Sequence, residues 1–268
     1  MPSLTTGSFF TAYEEVGAGA PVILLHCSSS SGGQWRTLVE SLAADFHVLV
    51  PDLLGYGGSG PWRGEPGDLF PAEIRAVEAL LRKTEGPLHL AGHSYGAAVA
   101  LRFALQHPGA LKSLTLFEPV SGWLLAGHAH REAYKELKSV ANIFRHHYRA
   151  GTTETGVRHY VDYWSGVGAW DALMDKARAY ILATAEKTHY EFAALFDPVN
   201  AVAPLSRIQA PTLLLQGAKT RVPTVRILDV LEAGIANTSR TAIPDAGHMA
   251  PITHQNAVNA EILRHIRQ

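Results

Sequence analysis

The stretch LHLAGHSYG, residues 88–96, contains the feature that decides the fold. Its apolar first half, 88–93, is typical of a buried strand, and the small residues of 95–107 are typical of a helix. Between them, GHSYG at 92–96 has the pattern Gly-x-Ser-x-Gly, in which the glycines permit a very tight turn. The pattern predicts a sharp strand–turn–helix junction that projects the Ser94 hydroxyl above a sheet. The alternative is an ordinary turn in which Ser94 caps the helix.

Short apolar runs alternate with helical patterns on both sides of this junction. Strands are predicted at 21–27, 47–53, 88–93, 111–117, 211–216 and 239–243, and helices at 34–45, 71–84, 95–107, 223–233 and 252–266. This alternation favours a mostly parallel central sheet with helices on both faces, an α/β fold. From 120 to 204 only helical segments are found, at 129–150 and 173–196. The predicted organisation is therefore a core of 1–119 and 205–268 with a helical insertion at 120–204.

The composition excludes several classes of function. The 268 residues include 23 Lys plus Arg and 24 Asp plus Glu, so the net charge is −1, and neither a nucleic acid nor a membrane surface is an expected partner. The single cysteine excludes an intrachain disulfide and a zinc site built on several cysteines. We expect no signal peptide or transmembrane helix, hence a cytoplasmic protein. No metal-binding motif is found among the 14 histidines, and a homo-oligomer is left open.

Four motifs in order resemble those of the α/β-hydrolase fold family. They are LLH at 24–26 with its Ser/Gly-rich loop, PDLLGYGGS at 51–59, GHSYG at 92–96 and PDAGHM at 244–249. The resemblance covers nearly the whole chain and implies that the insertion is the family's cap. It also implies that Ser94 is a nucleophile and that His248 is the base which activates it. A histidine with only a packing role is the alternative for His248.

The acid that would orient His248 departs from the family pattern. Thr220 stands where the family usually carries an aspartate after its penultimate strand. We expect Glu118, at the end of the strand 111–117, to replace it, as the acid does in some family members. A partly exposed glutamate at a strand end is the alternative, and Asp245, three residues before His248, is the second candidate acid.

The resemblance also implies an oxyanion hole made by the backbone N–H groups of Tyr95 and Ser28. Cys27 replaces a glycine that is common in the family, and it is not expected to be a nucleophile because no base or cation is visible for it. His26 is expected to fix this loop through hydrogen bonds. His93, beside the serine, is interpreted as a packing residue.

Aromatic residues are frequent in the insertion, where Trp123, Tyr160 and Trp164 could line an apolar substrate pocket or simply pack the insertion onto the core. The resemblance implies a serine hydrolase without cofactor or metal, acting on a small-molecule acyl substrate such as an ester, thioester or lactone. Three alternatives stay open on the same scaffold. They are hydrolysis of a carbon–carbon bond, a lyase or cofactor-free peroxidase-like activity, and ligand binding without catalysis.

Overall fold

A computed structural model describes residues 2–196 and 204–268. The strands of the described chain are β1 Ser3–Thr6, β2 Phe9–Val16, β3 Ala20–Leu25, β4 Phe46–Pro51, β5 Leu88–His93, β6 Leu111–Phe117, β7 Thr212–Gly217 and β8 Thr238–Ile243. The helices are α1 Arg36–Leu42, α2 Leu69–Leu81, α3 Tyr95–Gln106, α4 Arg131–Arg149, α5 Thr153–Ser165, α6 Ala169–Ala172, α7 Asp175–Ala183, α8 Ala185–Ala194, α9 Val222–Gly234, α10 Ala250–Thr253 and α11 Gln255–Ile266. Short 3-10 helices are found at Gly32–Trp35, Pro66–Asp68, Gly122–Leu125, His128–His130 and Leu205–Arg207.

All eight strands form one sheet in the order β1-β2-β4-β3-β5-β6-β7-β8. The strands from β3 to β8 pair in parallel, whereas β1 and β2 form an antiparallel edge. The predicted mostly parallel sheet is confirmed. The sequence analysis missed β1 and β2, because they are half-exposed and lack the continuous apolar run of the central strands.

Two apolar clusters cover the two faces of the sheet. Alternate residues of β3 enter different clusters: Ile23 belongs to the cluster of α2, α3 and α9, and Val22 belongs to the cluster of α1 and α11. This alternation follows from the two-residue period of a strand. The predicted helices on both faces are therefore confirmed.

The insertion between β6 and β7 is helical throughout the part that the structure describes, from Val120 to Phe196. Its last predicted segment, 173–196, contains two helices, α7 and α8, that meet at Thr184. Residues 197–203 of the predicted insertion lie outside the described chain. A similar break at His254 divides the predicted C-terminal helix into α10 and α11.

The sheet order brings four chain segments to one edge. The strands β5, β6, β7 and β8 are consecutive neighbours, and their carboxyl ends lead to Ser94, Glu118, Thr220 and His248 respectively. Ligands of open parallel sheets bind outside the carboxyl ends of the strands. Residues that are far apart in sequence can thus meet at this edge.

Candidate active site

Ser94 lies on the predicted sharp turn between β5 and α3. Its backbone has φ 56° and ψ −115°, a conformation that a residue with a side chain rarely adopts. A Cβ atom added to Gly92 would lie 2.5 Å from the Gly96 carbonyl oxygen, and one added to Gly96 would lie 2.4 Å from that of His26. Both glycines are therefore required by close backbone contacts, and the predicted strand–turn–helix context is confirmed.

His248 is brought to Ser94 by the loop that follows β8. Its Nε2 lies 3.0 Å from Ser94 Oγ, and both side chains are buried. The imidazole stacks on the Trp164 indole with 4.0 Å between the ring centroids. His93 Nε2–H donates to the backbone carbonyl of His248 over 2.9 Å, so His93 also fixes the position of this loop. The interpretation of His93 as a packing residue alone was incomplete, because no local pattern signals this contact across 155 residues.

Glu118 lies within hydrogen-bonding distance of the other imidazole nitrogen. Its Oε2 is 2.7 Å from His248 Nδ1, and the side chain is fully buried. The Gly217 N–H donates to Glu118 Oε1 and the Thr220 hydroxyl donates to Oε2, each over 2.7 Å. Together with His248, three groups thus form hydrogen bonds to the two oxygens of this carboxyl group. Thr220, in the place of the expected aspartate, is a donor to the glutamate.

Asp245, the second candidate acid, lies outside the hydrogen-bonded group of Ser94, His248 and Glu118. Its side chain is 85% exposed and forms an ion pair with Lys219 at 3.2 Å between Oδ1 and Nζ. The residue adopts a positive φ of 59°, and the turn directs its carboxylate to solvent. The structure therefore brings Ser94, His248 and Glu118 together and leaves Asp245 outside the group.

The loop after β3 lies beside Ser94, and Ser28 lines the same cavity as the serine. Tyr95 follows Ser94 directly as the first residue of α3, where backbone N–H groups have no partner within the helix. His26 Nδ1–H donates to the Cys27 carbonyl over 2.7 Å, and Nε2 accepts from the Leu53 N–H over 2.9 Å. Burial lowers the pKa of His26 to about 4, so the ring stays neutral. The prediction that His26 fixes the loop is confirmed.

Cys27 directly precedes Ser28 in this loop and is buried. Its N–H donates to Gln34 Oε1 over 3.2 Å, which holds the backbone where the family commonly has glycine. Burial raises the pKa of the thiol to about 12, so the residue is a neutral thiol at physiological pH. A neutral thiol is a poor nucleophile, which agrees with the sequence-based expectation for this cysteine.

A cavity of about 290 Å³ opens onto Ser94 and His248. It is lined by Cys27, Ser28, Ser29, Ser30, Ser94, Tyr160, Val161, Trp164, Ser165, Leu173, Ala177, Tyr180, Ile181, His248, Met249 and Ile252. Tyr160 and Trp164 thus line the cavity beside Ser94, and their contact with a substrate stays a prediction. Trp123 is not part of this lining. Its ring packs on the core with its centroid 6.0 Å from the Arg102 guanidinium, because the 3-10 helix that carries it, Gly122–Leu125, lies against α4 and α9.

In residues 2–196 and 204–268, no helix is long and apolar enough to span a bilayer. The same residues contain no group of three or more His, Cys, Asp or Glu side chains that is arranged to hold a metal ion.

Known proteins resemble this chain over most of its length. The family described as alpha/beta hydrolase fold matches residues 20–255. A relative from Metapseudomonas resinovorans, 2-hydroxy-6-oxo-6-(2'-aminophenyl)hexa-2,4-dienoic acid hydrolase, is 26% identical over 94% of this chain and 85% of its own length. The pimeloyl-[acyl-carrier protein] methyl ester esterase of Aeromonas hydrophila is 38% identical over 38% of each chain.

Solved structures show the same architecture. The enol-lactonase from Burkholderia xenovorans LB400 superposes with a TM-score of 0.77 over all of both chains, at 17% sequence identity. At this identity the likeness shows the fold alone. The family match, in contrast, covers most of the chain and contains every residue of the Ser94–His248–Glu118 group. The chain therefore belongs to the alpha/beta hydrolase fold family and is a hydrolase.

Proposed function

We propose that this hydrolase cleaves small, uncharged carboxylic esters, with Ser94 as the nucleophile. The observation that carries the proposal is the chain of two hydrogen bonds from Ser94 Oγ to His248 Nε2, at 3.0 Å, and from His248 Nδ1 to Glu118 Oε2, at 2.7 Å. A serine hydroxyl needs such a base because it is a weak nucleophile at neutral pH. Thioesters and lactones are chemically related substrates for the same residues.

The carboxylate of Glu118 sets the tautomer of the imidazole. Because an ionised carboxylate only accepts hydrogen bonds, His248 Nδ1 must carry the proton that it shares with Glu118. The free electron pair is then on Nε2, which faces the Ser94 hydroxyl. Glu118 also stabilises the imidazolium that forms when His248 accepts the serine proton.

Hydrolysis on these residues proceeds in two stages. Ser94 Oγ attacks the carbonyl carbon while its proton passes to His248 Nε2, and the backbone N–H groups of Tyr95 and Ser28 stabilise the tetrahedral oxyanion. His248 then protonates the departing alcohol, which leaves an acyl group on Ser94. A water molecule, deprotonated by His248, releases the acid and restores the serine.

The lining of the cavity supports an uncharged substrate of limited size. Among the described residues, no Lys, Arg, Asp or Glu lines it, so a carboxylate on the substrate would lose its hydration without gaining an ionic partner. At about 290 Å³ the cavity lies at the lower end of the range of ligand pockets, which is about 300–1,000 Å³. The buried part of the substrate should therefore be small.

Carbon–carbon bond hydrolysis is the second candidate. It is favoured by the likeness to the dienoic acid hydrolase of Metapseudomonas resinovorans, which extends over 94% of this chain. The substrate in that protein's name is a carboxylic acid, and the uncharged lining described above offers it no cationic partner. Ester hydrolysis is therefore the better supported function. Trapping of an acyl-enzyme on Ser94 would argue against the lyase or peroxidase-like alternative. The alternative of a non-catalytic binding protein was based on the absence of an aspartate at position 220. That reason no longer applies, because Glu118 supplies the carboxylate that Thr220 lacks.

The experiment compares two p-nitrophenyl esters that have the same number of non-hydrogen atoms, the 6-methylheptanoate and the hydrogen adipate. We expect the 6-methylheptanoate to be hydrolysed with a burst of one p-nitrophenol per active site. The adipate should have a kcat/KM lower by about 100-fold, because its terminal carboxylate would be buried without a partner. Equal kcat/KM values for the two esters would contradict the inference that the cavity prefers an uncharged substrate. Faster turnover of the dienoic acid than of either ester would favour carbon–carbon bond hydrolysis.

A further inference from the structure

The loop that carries the predicted oxyanion donor Ser28 is held by hydroxyl groups of the helical insertion. Tyr180 of α7 donates its hydroxyl to the Ser30 carbonyl over 2.7 Å. Thr188 of α8 lies with its Oγ1 3.2 Å from Ser29 Oγ. Both contacts span more than 140 residues of sequence, so they form only when the insertion is docked on the core.

Each of these hydroxyls also contacts a second core loop. The Tyr180 oxygen accepts from the Gly57 N–H over 2.9 Å, and Thr188 Oγ1 lies 3.1 Å from the Tyr56 hydroxyl. Tyr180 and Thr188 therefore bridge the turn at 28–30 to the turn at 56–57. We call this pair of bridging residues the hydroxyl clamp.

The turn at 28–30 needs such support. Ser29 has a φ of 53°, a left-handed conformation that is strained for a residue with a side chain. Strained backbone of this kind persists only where surrounding contacts hold it. The hydroxyl clamp supplies contacts on both the side chain of Ser29 and the carbonyl of the next residue.

A buried ion-pair cluster anchors the helix that carries Thr188. Lys187 Nζ lies 2.9 Å from Glu73 Oε1 of α2 and 3.0 Å from Glu191 Oε1 of α8, and all three side chains are at most 3% exposed. Removing one partner of such a cluster would leave an uncompensated buried charge, so the three side chains must stay together while α8 is packed on α2. The cluster thus fixes the position of Thr188 relative to the core.

We propose that Tyr180 and Thr188 are positioning residues that hold the turn at 28–30 in the geometry required for oxyanion stabilisation. The oxyanion hole is then complete only while the insertion is docked on the core. The catalytic part of this inference rests on the proposed function, because it takes Ser28 as an oxyanion donor. The part that concerns the conformation of the turn at 28–30 does not depend on the proposed function.

The test uses Tyr180→Phe and Thr188→Val, each of which removes one clamp hydroxyl with little change in shape. We expect kcat for the 6-methylheptanoate ester to fall about 10-fold in Tyr180→Phe, with KM changed less than about 2-fold, because a slightly displaced donor weakens only the transition state. Inhibition by an alkylboronic acid, which forms a tetrahedral adduct on the serine, should weaken by the same factor. Amide hydrogen exchange of residues 28–31 should become faster in both variants.

Two control variants separate this effect from a general loss of stability. Tyr134→Phe removes an insertion hydroxyl that contacts Lys138 at the surface, and Thr152→Val removes one that contacts His147 at the surface. Both should have the wild-type kcat, boronic acid affinity and exchange of residues 28–31. Thermal unfolding of all four variants establishes that they fold.

The outcomes distinguish the two proposals. A wild-type enzyme that hydrolyses the ester, together with Tyr180→Phe and Thr188→Val variants of unchanged kcat and boronic acid affinity, would overturn the clamp and leave the proposed function intact. A wild-type enzyme that hydrolyses no ester would contradict the proposed function, and with it the catalytic use of the clamp. In that case, unchanged amide hydrogen exchange of residues 28–31 in Tyr180→Phe and Thr188→Val would also contradict the proposal that the hydroxyl clamp holds the turn at 28–30.

Discussion

Replacing Ser94 by alanine should lower kcat for the 6-methylheptanoate ester by roughly 10⁶-fold, the scale seen when a serine protease loses its nucleophile. The variant retains His248 and Glu118 but has no oxygen to attack the substrate carbonyl. Its KM should change little, because the apolar cavity still binds the ester. The measurement is the initial rate of p-nitrophenol release, corrected for spontaneous hydrolysis.

The fold should tolerate this substitution. Ser94 Oγ forms a hydrogen bond to His248 beside the cavity, whereas the backbone turn depends on Gly92 and Gly96. The melting temperature of Ser94→Ala should therefore be close to that of the wild type. A folded variant with more than about a tenth of the wild-type kcat would contradict a nucleophilic role for Ser94.

Replacing Glu118 by glutamine should lower kcat by about 10⁴-fold, or about 5 kcal/mol in the barrier. The amide keeps the size of the side chain but can donate a hydrogen bond from the position now occupied by an acceptor oxygen. His248 would then be favoured with its proton on Nε2, where it cannot accept the serine proton. Steady-state kinetics of the folded variant measures the effect.

The sequence offers a matched control for this carboxylate. Asp245→Asn removes the other acid near His248, but its side chain is exposed and pairs with Lys219. Asparagine also tolerates the positive φ of this position. The control should keep kcat within about 3-fold, as surface ion pairs contribute little. A larger loss in Asp245→Asn than in Glu118→Gln would reverse the assignment of the acid.

Much of the sheet and the position of Ser94 could be predicted from the sequence, because short-range constraints determine them. The glycines at 92 and 96 are required by local sterics, and the apolar run before them indicates a buried strand. Glu118 could be proposed because Thr220 lacks a carboxylate and because neighbouring parallel strands end at the same edge. The structure places both residues in one hydrogen-bonded group with His248.

The contacts of the insertion could not be predicted in the same way. Trp123 and Trp164 are both aromatic residues of the insertion, yet only Trp164 lines the cavity and stacks on His248. Tyr180 and Thr188 reach the turn at 28–30 through the docking of α7 and α8 on the core. Such contacts depend on how helices pack over long sequence separations, and no local pattern encodes them.

The most direct measurement is peptide mapping by mass spectrometry after reaction with a fluorophosphonate, which phosphonylates an activated serine. We expect one adduct per chain on Ser94, present in the wild type and in Cys27→Ala and absent from Ser94→Ala. An adduct on any other residue, or none in an enzyme that hydrolyses the 6-methylheptanoate ester, would contradict the claim that His248 and Glu118 activate Ser94.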